Sequence, residues 1–191
     1  MALINVAARE IHGKIVYYGP GLCGKTTNLQ VIHAKIPQNG RSDLLSIATE
    51  TERTLFFDFM PLELGQVHGF SIRFHLYTVP GQILYERTRV AVLNGTDGVV
   101  FVADAQRDRL ADNLQSLREL AHNLKNQGKR LVDFPLVMQY NKMDLPTALP
   151  TPVLDRYLNT IKVPRFEASA INGDGVFETL RAISKLVVNK L

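Results

Sequence analysis

Two hydrophobic periods share this chain. Val99-Val100-Phe101-Val102 is apolar at consecutive positions, the pattern of a strand buried on both faces of a parallel sheet. Phe70, Ile72, Phe74 and Leu76 instead alternate with Ser71, Arg73, His75 and Tyr77, which predicts a strand over 70–77 with one wetter face. Further strands are predicted at 13–19, 54–59, 98–103, 135–140 and 163–168. Helical spacing fills the intervals. Leu29, Ile32 and Ile36 mark a helix over 26–36, and Val176, Leu180, Ile183 and Val187 mark a last one over 176–189. Between them, Leu110, Leu114, Leu117, Leu120, Ala121 and Leu124 form a stripe over 109–127, with Asp108 as N-cap and Gly128 as the C′ residue.

The link between residues 59 and 70 carries Pro61 and Gly69 and is too short for a crossover helix, so these two strands are read as an antiparallel hairpin at one edge. Elsewhere strands and helices alternate. The fold class is therefore α/β: one domain, with a mostly parallel sheet of six or slightly more strands, helices on both faces and right-handed connections.

Composition narrows the function classes. A chain of 191 residues, 46% apolar, suits a single domain with a substantial core. No apolar run approaches the roughly 18 residues of a membrane span. The start, Met-Ala-Leu-Ile-Asn, lacks a signal-peptide layout. Ala2 stands where N-myristoylation needs glycine, and the C-terminus offers no prenylation cysteine. The single cysteine, Cys23, excludes an internal disulfide and fits a reducing cytoplasm. A net charge of +4 without a basic stripe, and without tryptophan, gives nucleic-acid binding only weak support. The five histidines show no metal-ligand spacing.

Chemistry enters at Gly19-Pro20-Gly21-Leu22-Cys23-Gly24-Lys25-Thr26, which fits G-x-x-x-x-G-K-[ST] between a predicted strand and a predicted helix. In such a loop successive N–H groups point inward at phosphate oxygens, and the helix N-terminus adds positive potential. Gly19, Gly21, Leu22, Cys23, Gly24 and Lys25, with Thr26 and Thr27 opening the helix, are the candidate phosphate-binding set. Lys25 would reach the β- and γ-phosphates and the Thr26 hydroxyl would ligate Mg²⁺. The Cys23 side chain is read as a small filler, not a nucleophile. These motifs fall at the carboxyl ends of predicted strands, where such sheets bind ligands.

Asn141-Lys142-Met143-Asp144 follows another predicted strand, and Ser169-Ala170 follows the last. Together with the phosphate loop they resemble the Ras-like small GTPases. The resemblance implies that the Asp144 carboxylate accepts hydrogen bonds from guanine N1 and N2, donors that adenine lacks. It further implies that Asn141 contacts the base, that the Lys142 stem covers it, and that the Ala170 N–H meets guanine O6. Ile171 stands where those proteins carry Lys. Thr78-Val79-Pro80-Gly81-Gln82 aligns with their Asp-x-x-Gly-Gln element, with Thr78 in place of the Asp that supports magnesium through a water. Gly81 would meet the γ-phosphate and Gln82 would orient the attacking water. Among Thr49, Thr51 and Thr54, Thr54 is preferred as the second magnesium ligand and γ-phosphate sensor.

A narrower likeness lies in Ile15-Val16-Tyr17-Tyr18-Gly19-Pro20-Gly21, in Thr51-Glu52-Arg53-Thr54-Leu55-Phe56-Phe57-Asp58-Phe59 and in Phe74-His75-Leu76-Tyr77-Thr78-Val79-Pro80-Gly81-Gln82. These resemble the MglA-type prokaryotic small GTPases, in which Thr also replaces that Asp. The resemblance implies a polarity switch for gliding or twitching motility that cycles between GDP and GTP. Arg53 and Gln82 would be catalytic in cis, ordered by a homodimeric roadblock-domain (MglB-like) activator, with motility and polarity effectors as further partners. The chain is expected to be a monomer. Thr78 also motivates a nucleotide-dependent interaction module with negligible hydrolysis. A metabolic P-loop kinase would need an acceptor site and a basic lid, and neither is found.

Overall fold

A computed structural model describes residues 3–36, 45–48, 54–67, 69–81 and 86–190. The chain runs β1 (Leu3–Asn5), β2 (Glu10–Tyr18), α1 (Lys25–Lys35), β3 (Leu45–Ala48), β4 (Thr54–Val67), β5 (Phe70–Thr78), α2 (Glu86–Leu93), β6 (Gly98–Asp104), α3 (Leu110–Asn126), β7 (Leu136–Asn141), α4 (Thr151–Leu158), β8 (Arg165–Glu167) and α5 (Val176–Val188). Among the described residues eight strands form one sheet, in the order β3-β4-β5-β2-β6-β7-β8, with β1 beside β2. β5, β2, β6, β7 and β8 are parallel along the sheet; β1–β2, β3–β4 and β4–β5 are antiparallel.

The consecutive apolar runs occupy the centre. Every residue of β6 and of β7 is buried, because helices cover both faces. On one face Ile15, Tyr17, Val100, Val102 and Val137 pack with Leu29 and Ile32 of α1 and Leu180, Ile183 and Val187 of α5. On the other, Val16, Tyr18, Phe101 and Met138 pack with Leu120 and Leu124 of α3 and Leu154 and Leu158 of α4. The leucine stripe of α3 is core packing. In β5 the alternation reads out as expected: Ile72, Phe74 and Leu76 are buried while Arg73 is exposed and His75 and Tyr77 are half-buried.

Three sequence expectations change. The strand expected to end at residue 59 continues to Val67, with Pro61 opposite His75. β3 pairs with β4 only as far as Phe59, so the continuation is an edge strand, where proline's missing N–H is tolerated. The hairpin is therefore one strand in from the edge along its first half. Asp108 is not the cap of α3: it lies in a 3₁₀ turn over Arg107–Arg109, and the N-cap is Arg109, without a side-chain cap bond. The strand expected over 163–168 narrows to three residues. Gly128 does close α3. It adopts φ 72°, and the N–H groups of Gly128 and Lys129 donate to the carbonyls of Lys125 and Leu124, the paired bonds of a Schellman motif.

Candidate nucleotide-binding site

The phosphate loop leaves β2 at Gly19 and enters α1 at Lys25, so it lies at the carboxyl end of the sheet's central strand. The loop is an anion cradle by its backbone. Among the described residues, the N–H groups of Gly21, Leu22, Cys23, Gly24 and Lys25 donate to no acceptor of the protein. Several amides converging without an internal partner are what a phosphate would satisfy. Gly24 adopts φ 100°, and a Cβ there would lie 2.1 Å from Asn141 Nδ2, so the position requires glycine both for its backbone and for its neighbour.

Lys25 is buried, and its ammonium donates to the carbonyls of Gly19 at 3.0 Å and Pro20 at 2.6 Å. These contacts fold the side chain back over the cradle. Cys23 is fully buried, with its Sγ 3.6 Å from the same ammonium, and burial pushes its thiol above the ordinary range. It fills space and is not activated. Thr27 follows in the first turn of α1. The Thr26 hydroxyl donates to Asp58 Oδ2 at 2.6 Å, and the Thr78 hydroxyl donates to the same oxygen at 2.7 Å. A hydroxyl whose proton is taken by a carboxylate turns its lone pairs outward, which is the donor geometry a hard divalent cation needs. The loop and this pair fit a magnesium-bound phosphate.

Gly81 closes the site from β5. A Cβ there would approach Gly21 N to 2.3 Å, so the turn after Thr78 lies directly on the loop. The guanidinium of Arg109, at the start of α3, donates to the Gly21 carbonyl at 3.1 Å and pairs with Asp112 at 2.6 Å.

The second half of the site follows β7. Asn141 is buried and joins three loops: its Nδ2 donates to the Cys23 carbonyl at 2.8 Å, and its Oδ1 accepts from the Ala170 N–H at 2.8 Å. The amide assigned to guanine O6 by resemblance is thus engaged by Asn141 here, while the Ile171 N–H donates to no acceptor among the described residues. Lys142 takes φ 67°, and its ammonium pairs with the buried Asp104 carboxylate at 2.6 Å. Asp104 also accepts from the Gln106 backbone at 3.1 Å. It escaped the sequence reading; the signal was an acid ending the wholly buried strand β6. Asp144 is exposed, and its carboxylate has no hydrogen bond or ion pair among the described residues. Ser169 and Ala170 are buried, and Ser169 Oγ accepts from Asn172. Asp58 also went unassigned, because an acid inside an aromatic strand reads as a surface residue until its partners are known.

Gln82 and Arg53 lie outside the described residues, as do Thr49 and Thr51. Thr54 is the first residue of β4.

The sequence profile of the ADP-ribosylation factor family matches residues 2–187. The chain belongs to that family. Its relatives include the mutual gliding-motility protein MglA of Myxococcus xanthus (strain DK1622), 53% identical over the whole of this chain and 98% of that protein. Human ADP-ribosylation factor-like protein 4C is 26% identical over 97% of this chain and 92% of its own length. ADP-ribosylation factor-like protein 6 of Caenorhabditis elegans is 29% identical over 68% of this chain and 67% of its own. The chain is therefore an MglA-type small GTPase that binds guanine nucleotide and hydrolyses GTP. The reading as a module with negligible hydrolysis is not favoured.

Proposed function

We propose that this GTPase is a magnesium-dependent switch controlling cell polarity and motility; gliding motility is the process in the name of its Myxococcus relative. What supports the site assignment is that the unpartnered loop amides, Lys25 and the Thr26–Asp58 pair lie together at the start of α1, and that Asn141 ties this loop to the one carrying the exposed Asp144. Phosphates lie along residues 19–27 and the base lies between Lys142, Asp144 and residues 169–171. Thr26 and Thr54 hold the metal, which when bound neutralises phosphate-oxygen charge. The Lys25 ammonium turns from the Gly19 and Pro20 carbonyls toward the phosphates. The buried Asp104 fixes the Lys142 stem where it covers the purine. Gly81 meets the γ-phosphate, Gln82 orients the attacking water, and Arg53 neutralises charge at the transferring phosphoryl group. A homodimeric roadblock-domain protein brings Arg53 and Gln82 into place, and polarity effectors read the GTP state. The protein works in the cytoplasm; among the described residues no helix is long and apolar enough to cross a membrane.

Single-turnover phosphate release tests the catalytic assignment. Arg53→Ala should lower the activator-stimulated rate by about 10³-fold or more, in the range of a lost arginine finger. Gln82→Leu should also abolish stimulation, and both variants should retain GTP affinity. A stimulated rate unchanged in either variant rejects that residue's role.

A further inference from the structure

Position 78 lacks the carboxylate that Ras-like proteins use to support magnesium, and the fold supplies a carboxylate from the strand alongside. In the antiparallel ladder of β4 and β5, Phe59 stands opposite Tyr77, so one step back Asp58 stands opposite Thr78. The two residues grip each other. The Asp58 N–H donates to Thr78 Oγ1 at 2.9 Å, and Thr78 Oγ1 donates to Asp58 Oδ2 at 2.7 Å. Both residues are fully buried. The Thr78 hydroxyl gives its proton to Asp58 and accepts the Asp58 N–H, so it is turned toward Asp58, and it carries no negative charge to accept from a metal-bound water as a carboxylate does. Asp58 Oδ2 also takes the proton of Thr26, at 2.6 Å.

We propose that Asp58 performs the magnesium-supporting role across the strand pair, with Thr78 as the hydroxyl that aims it. The inference rests on the reading of Thr26 as a magnesium ligand. Three features carry it. A buried carboxylate is costly unless charge and hydrogen bonds surround it; Thr26 and Thr78 both donate to Asp58, and a dication held by Thr26 would add favourable charge. By accepting the Thr26 proton, Asp58 fixes the lone pairs of that hydroxyl outward, as partners of metal ligands do. Finally, exchanging acid and hydroxyl between facing positions of one ladder leaves the carboxylate on the same side of the sheet. Asp58 is a positioning residue: it acts on the metal through Thr26 and through metal-bound water.

Release of fluorescent N-methylanthraniloyl-GDP, followed against free magnesium, tests this. In the unmodified protein release should slow as magnesium rises. Asp58→Asn keeps the shape and removes the charge, and should raise the magnesium concentration for half-maximal slowing by about 10- to 100-fold, with release in excess EDTA unchanged. The exchange Asp58→Thr with Thr78→Asp should return the midpoint toward that of the unmodified protein. An unmoved midpoint in Asp58→Asn overturns the proposal, as does a folded exchange variant that fails to restore it. If the exchange variant does not fold, Asp58→Asn alone decides. Magnesium-independent release from the unmodified protein would overturn this inference and spare the nucleotide reading. Failure to retain the labelled nucleotide in any condition would overturn both.

Discussion

Replacing Gln139 by Met tests how the phosphate-loop helix is fastened to the sheet. Gln139 is fully buried in β7 and exchanges two hydrogen bonds of 2.9 Å with Asn28 of α1, one in each direction. Its Nε2 also donates to Thr179 Oγ1 of α5 at 3.1 Å. Met fills a similar volume, so little cavity forms. In that variant Asn28 Nδ2 keeps its bond to the Gly24 carbonyl and Thr179 keeps its bond to the Gly175 carbonyl. Asn28 Oδ1 is the group stranded, and it lies at a fully buried position. One buried acceptor without a donor costs about 1–3 kcal/mol. At about 2–4 °C per kcal/mol for a chain of this size, the melting temperature should fall by roughly 4–8 °C for a loss near 2 kcal/mol. Asn28→Leu, nearly the same shape, strands Gln139 Oε1 and should cost a similar amount. The double variant strands neither, so its loss should be smaller than the sum of the singles by at least about 1 kcal/mol. Urea unfolding of all four proteins at one fixed GDP concentration measures this, since bound ligand itself shifts stability. Additive losses would refute the reasoning.

Two further predictions concern other parts of the molecule. Burial, reinforced by the charges of His12 and Arg73, holds the His75 imidazole below its ordinary range. The unfolded chain therefore takes this proton more readily. The stability contribution is full above the ordinary histidine value of about 6.5 and is lost as pH falls from there toward the folded-state value. Urea midpoints should drop between about pH 7.5 and pH 5.5, and His75→Gln should shrink that drop; an equal drop in the variant contradicts the assignment. Gly24→Ala incurs about 1–2 kcal/mol of backbone strain and drives its methyl against Asn141 Nδ2. GDP affinity should fall about tenfold or more by calorimetry, and unchanged affinity would show that the loops do not depend on this contact.

Much of the fold was legible where burial on both faces writes itself into consecutive apolar residues, as in β6 and β7, and where stripes run long, as in α3 and α5. Short elements left no such trace. β1 has three residues and β3 four, too few to show a period. In α2 the buried face includes Arg89, paired with Glu119 at 3.3 Å, so charge interrupts the expected stripe. In α4 the signal was present but brief: Pro152 at the helix start, then Leu154 and Leu158 four apart and buried. Of the site, the phosphate loop and the Asn141–Asp144 motif could be read because backbone chemistry fixes their spacing. Asp58 and Asp104 could not. Each acts through a partner distant in sequence, Thr26 and Thr78 for one and Lys142 for the other, and only the sheet brings them together.

The most direct test is a calorimetric titration of the unmodified protein and Asp144→Asn with GDP, ADP and XDP in magnesium. Two hydrogen bonds to a carboxylate contribute about 3–6 kcal/mol, so GDP should bind the unmodified protein more than about 100-fold tighter than ADP. Asp144→Asn should lose that preference and favour XDP. Equal affinity for GDP and ADP, or an Asp144→Asn protein that still selects GDP, would contradict the account.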